Sequence, residues 1–166
     1  MFFRRGRNRG LVAAIAVLAL AIAASAAVAA EGPTRDEYKA MVEPICKANT
    51  KANDRILSGV RKLVKEDKLK LAGTKFAKAA TALKQTRREL LAVPQPSADR
   101  ARLAKWLGYV KTEAEQFDLT ATKLKKEDRR GVSQMVTKLR QTSNRANAEV
   151  VPFEFTYCRF EPSRFT

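Results

Sequence analysis

The chain has 166 residues, 33 Lys and Arg against 17 Asp and Glu, no histidine, and a formal net charge of +16. Lacking histidine, it lacks the commonest general base and the commonest metal ligand together. Seven glycines and six prolines in a chain rich in Ala, Leu, Lys, Arg and Glu favour helix over sheet.

Taken in chain order, the N-terminus speaks for compartment. "MFFRRGRNRG" carries Arg4, Arg5, Arg7 and Arg9 with no acid, and an apolar run follows from Leu11 to Ala30. A cationic region, an apolar region and a small-residue end are the pattern of a secretory signal peptide over residues 1–30, with cleavage expected after Ala30 or, alternatively, after Ala29. The rival reading is an uncleaved single-span anchor, since about 20 apolar residues can cross a bilayer. In both readings residues 31–166 lie outside the cytoplasmic membrane, because the arginines stay inside. Arg4 and Arg5 leave twin-arginine export as a minor alternative, and no cysteine at the end of the run offers a lipid anchor. Past residue 30 there are 29 bases against 17 acids, so the exported part, sized for one domain, carries +12.

The first helix is announced by Thr34 and Glu37, spaced as a capping box. Its stripe runs Tyr38, Met41, Val42, Ile45, Asn49, Ala52, Ile56, Val60 and Leu63, and Pro44 inside it predicts a kink or a regular part that starts at the proline. A second stripe, Leu69, Ala72, Phe76, Ala79, Leu83 and Leu90, stops at Pro94 and Pro96. Ser97 or Asp99 can cap a third helix, whose stripe is Leu103, Trp106, Val110, Ala114, Phe117, Ala121 and Leu124. A fourth reads Val132, Met135, Val136, Leu139, Ser143, Ala146 and Val150, and Pro152 ends it. The expected fold is all-α: an antiparallel up-down four-helix bundle over residues 31–150, with an extended aromatic strap over residues 151–166 tied to the first helix.

That tie is Cys46 to Cys158. The start of the first helix and the end of the fourth share one end of such a bundle. Cys46 lies about 16 Å along its helix, and eight residues from Val150 span up to about 28 Å. Two cysteines in an exported chain most often pair, and here the closed loop of about 112 residues is worth on the order of 4 to 5 kcal/mol in lost loop entropy. Phe153, Phe155 and Tyr157 alternate, as one face of an extended strap covering the core would; Phe160 and Phe165 follow.

The stretch "EYKAMVEPICKANTKAN", with its cysteine early in the first helix, and "YCRF" at the end resemble a group of secreted helical two-cysteine proteins of high-GC Gram-positive bacteria. The resemblance implies the fold and the disulfide and carries no activity; Pro44 beside Cys46 departs from the more regular helix of that group.

For chemistry, both thiols are expected to be oxidised, and Glu113, Glu115 and Asp118 are read as a solvated helix face, so no catalytic residue, metal site or cofactor is expected. Asn49, Asn53, Ser143 and Asn147 are expected to meet near the strap as a small satisfied polar layer that fixes helix register, rather than as a ligand site. Ten bases between Arg61 and Arg88 face only Glu66 and Asp67. The turn between the third and fourth helices adds five more, and an antiparallel bundle puts both turns opposite the strap. The expected anion-binding residues at this basic pole are Arg61, Lys62, Lys65, Lys68, Lys70, Lys123, Lys125, Lys126, Arg129 and Arg130, flanked by the second helix. The expected function is therefore an exported, non-catalytic bundle that contacts an anionic envelope polymer or lipid headgroups. The alternative is a structural or protein-interaction bundle with no polyanion partner. Specific nucleic-acid binding is not expected, because its motifs and interleaved aromatics are missing. Membrane contact is expected only through surface charge or a retained signal segment.

Overall fold

The structure is a computed structural model in which residues 32–161 are described; the predicted signal segment and Phe165 lie outside them. Thr34 opens helix α1 (Arg35–Leu57). Its hydroxyl accepts from the Glu37 N–H at 3.2 Å, and the Glu37 carboxylate accepts from the Thr34 N–H at 2.8 Å, which is the expected reciprocal cap. Helix α1 is continuous through Pro44, so its regular part begins at Arg35 and not at the proline. Ala40, whose carbonyl loses its amide partner there, is exposed, and water can satisfy it.

The first helix does not run to Leu63 as one piece. Gly59 takes φ +73°, a left-handed conformation that suits glycine, and the chain restarts as the short α2 (Val60–Lys65). The buried face of α1 is also rotated from the expected stripe: Tyr38, Val42, Cys46, Asn53 and Leu57 are buried, Ile45, Asn49, Ala52 and Ile56 are half-buried, and Met41 is exposed.

Helices α3 (Leu69–Ala92), α4 (Arg100–Lys125) and α5 (Arg129–Glu149) follow. All six expected core positions of α3 and all seven of α4 are buried. Gly73 lets α3 and α4 approach closely, since a Cβ there would sit 2.8 Å from the Ala121 carbonyl oxygen and 3.2 Å from the Leu124 Cβ. Asp99 precedes α4 without capping it. Its carboxylate instead accepts from Arg35 Nε at 2.7 Å and Nη2 at 2.8 Å, fixing the start of α1 against the entry to α4.

The turns into α3 and α5 share one device. Asp67 and Glu127 take left-handed φ of 59° and 58°, and the next N–H reaches back five residues, Lys68 to the Leu63 carbonyl at 2.8 Å and Asp128 to the Lys123 carbonyl at 3.0 Å. These two turns meet, through Lys70–Glu127 at 3.4 Å and an Arg129–Asp67 ion pair, so the long helices alternate in direction. The expected antiparallel bundle of four long helices is what the described residues form.

Packing runs α1 on α3, α3 on α4 and α4 on α5, with no comparable contact between α1 and α5. The C-terminal tail fills that seam. It is not an extended strap: a 3₁₀ turn at Val151–Phe153 leads into a left-handed Glu154 and a run of bends. Cys158 pairs with Cys46 in the expected disulfide. Phe153 and Phe155 are buried, their rings 5.9 Å from Tyr38 and 5.7 Å from Trp106 respectively. Tyr157 breaks the expected alternation. With Cys158 turned inward to the bridge, the Tyr157 ring lies outside under Lys47 Nζ, and Phe160 instead packs edge-on to Phe117 at 5.8 Å.

Candidate functional site

Two places in the bundle gather functional groups, one at each side of the core. The first is the expected basic pole, where the two tight turns join. Residues 61–70 and 123–130 place ten bases and four acids there, and all ten bases except the half-buried Lys123 are exposed. Half of those bases face acids: Lys62 and Lys68 meet Glu66, Lys70 meets Glu127, Lys123 meets Asp128 at 2.8 Å, and Arg129 meets Asp67. Lys123 and the Gly131 N–H hold the Asp128 carboxyl below the usual carboxylate range, which ties this charge to the cap of α5. Lys65, Lys125 and Lys126 make no ion pair among the described residues. The flank expected along the second helix is largely engaged within the fold: Lys75 donates to the Ile56 carbonyl, Arg87 to the Leu107 carbonyl, and Lys84 pairs with Asp118.

At the other end a cavity of about 310 Å³ lies beneath the tail, between all four long helices. Cys46, Asn49 and Asn53 of α1, Leu83, Thr86 and Leu90 of α3, Trp106, Val110 and Glu113 of α4, and Ala146 and Asn147 of α5 surround it, and Thr156 to Glu161 form its outer wall. The tail is held there by Glu43, which accepts the Tyr157 N–H at 3.0 Å, and by Asn147, which exchanges two 2.9 Å bonds with the Phe160 backbone.

Three members of the expected polar layer do line this cavity, but the layer is not satisfied. Asn53 donates to Asn49 Oδ1 at 3.2 Å, while its own Oδ1 has no partner. Ser143 lies deeper and donates to the Leu139 carbonyl at 2.8 Å. The acidic group on α4 also divides in an unexpected way. Glu115 is exposed beside Lys111 and Asp118 is half-buried beside Lys84, whereas Glu113 is 1 % exposed and its Oε1 has no partner. Burial pushes the Glu113 carboxyl up to about 7, against a smaller opposing pull from a hydrogen bond with Ser143.

No family model, no curated protein and no solved structure matches the chain.

A signal for Glu113 exists in the sequence. Starting at Leu103, strict steps of three and four give Trp106, Val110, Glu113, Phe117, Thr120 and Leu124, and all of these are buried. Taking Ala114 and Ala121 in place of Glu113 and Thr120 follows the apolar letters and loses the two polar core positions. Among the described residues no helix is long and apolar enough to cross a membrane.

Proposed function

We propose that the chain is an exported, non-catalytic binding module whose basic pole contacts an anionic envelope component, a wall polymer or lipid headgroups. The reading of residues 1–30 as a signal segment puts the domain outside the cytoplasmic membrane, a compartment in which a Cys46–Cys158 disulfide is stable. One observation carries the partner class: the Lys70–Glu127 and Arg129–Asp67 pairs bring two basic turns together, leaving ten bases against four acids at one end. A surface of that sign attracts polyanions through a field that salt screens over about 10 Å at 0.1 M.

The test uses bases that make no ion pair among the described residues. Replacing Lys65, Lys125, Lys126 and Arg130 together with Gln should weaken binding to vesicles of anionic phospholipid and flatten its salt dependence, with the helical circular dichroism unchanged. Equal binding by the variant, or none by the parent at low salt, would leave a bundle that works through protein contacts instead.

A further inference from the structure

We propose that the cavity under the tail binds a small organic cation, a protonated amine on a short apolar body, with its ammonium group on Glu113 and Asn53. The inference is independent of the basic pole. It begins with an imbalance of donors and acceptors. Glu113 and Asn53 are 1 % and 2 % exposed, both line the cavity, and each has an oxygen without a hydrogen-bond partner. Three of the cavity's own donors are committed elsewhere: the Thr50 hydroxyl to the Cys46 carbonyl at 3.0 Å, the Thr86 hydroxyl to the Ala82 carbonyl at 3.1 Å, and the Asn147 amide to the Phe160 carbonyl. What is missing is a group that only donates, and an ammonium has three donors and no acceptor.

Charge narrows the class further. A carboxylate out of water needs a cation or a set of donors to remain ionised. Among the described residues two bases line the cavity, the exposed Lys51 from α1 and the exposed Arg159 from the tail, together with the half-buried Asp54 and the exposed Glu161. Helix α3 brings no charged group to the cavity, α5 brings none, and α4 brings Glu113 alone. Among the described lining residues Glu113 is the one buried charged group, and its charge is negative, so an anion is disfavoured. Leu83, Leu90, Trp106, Val110 and Phe160 supply apolar and aromatic walls for a hydrocarbon body and ring faces for a cation. A volume near 310 Å³ is at the small end of the range for ligand sites, which suits an amine of a few carbons.

Ionisation of the carboxyl should govern affinity. With Glu113 poised at about 7, acid protonates it and removes the counter-charge, so amine binding should weaken as the pH falls below neutral.

Trp106 is the only tryptophan in the chain and lines the cavity, so its emission reports occupancy directly. The experiment titrates the disulfide-intact protein with n-butylammonium and with n-butanol, its neutral counterpart, following Trp106 fluorescence and heat. Saturable amine binding is expected at about pH 8, about ten-fold or more tighter than the alcohol, as befits a charged hydrogen bond. It should weaken about ten-fold or more by about pH 5.5. Glu113→Gln should abolish both the preference for amine and its pH dependence, and Glu115→Gln, on the solvent side of the same helix, should preserve both. Alcohol binding as tight as amine, no saturable response to the amine, or an unchanged preference in Glu113→Gln would each overturn the proposal. The comparison of amine with alcohol decides it in the parent protein even if the Gln variant fails to fold.

Discussion

A carboxyl buried as fully as that of Glu113 makes stability depend on pH. Its folded value near 7 lies above the ordinary 4.5, so between those values the folded protein holds a proton that the unfolded chain has released. The folded state is therefore most favoured by this group below about pH 4.5, and that advantage is lost as pH rises through 7. A displacement of this size corresponds to about 3 kcal/mol. Glu113→Gln keeps the shape and removes the ionisation. In urea denaturation the variant should lie near the parent at about pH 4.5 and gain on it progressively, by up to about 3 kcal/mol, by about pH 8. A gap that stays constant with pH would mean that Glu113 ionises in water. Glu113 was hard to read from sequence because charged residues on helices usually face solvent and an alanine sat beside it to carry the stripe. Asp99 departs from its expected role for a different reason. Its cap role is a local inference, whereas the partner that claims its carboxylate, Arg35, is 64 residues away.

Helices α3 and α4 were legible because their apolar letters repeat at helical spacing and each has a neighbour on both sides to bury them. Helix α1 was legible in extent at its capped start but not in phase, since the break at Gly59 and the inward demand of Cys46 turn its face. The two tight turns carry a feature that sequence periodicity does not reach: left-handed Asp67 and Glu127 stand where glycine usually ends a helix. A side chain in that conformation costs roughly 1 to 2 kcal/mol. Glu127→Gly should therefore stabilise the protein by about 0.5 to 1 kcal/mol, since glycine's extra unfolded-state freedom and the exposed Lys70–Glu127 contact offset part of the relief. A chemical denaturation midpoint that falls on substitution would show that the contact across the two turns outweighs the backbone strain.

Four helices joined by short turns ordinarily close their own ring, and here the tail closes it instead, lying in the seam where α1 and α5 lack close contact. The sequence pointed to this arrangement through two cysteines and a cluster of aromatics, but not to the bent path of the tail, because the bridge and the Asn147–Phe160 bonds fix that path through tertiary contacts. Two contributions hold the seam shut. The rings of Phe153, Phe155 and Phe160 bury apolar surface against Tyr38, Trp106 and Phe117, and the bridge closes 112 residues of chain. Loop entropy alone assigns the bridge about 4 to 5 kcal/mol, a large share of the stability of an ordinary domain. Reduction, or Cys46→Ser with Cys158→Ser, should lower the melting temperature by roughly 10 to 20 °C for a domain of this size. The loss should also be uneven. Amide exchange should quicken first in the tail and along α1 near Asn49 and Asn53, while α3, α4 and α5, packed on one another, keep their protection. Because the tail is the outer wall of the cavity, Trp106 should become accessible to a soluble quencher on reduction, before the bundle melts. An unchanged melting temperature with a still-shielded Trp106 would show that the aromatic contacts close the bundle without the covalent tie.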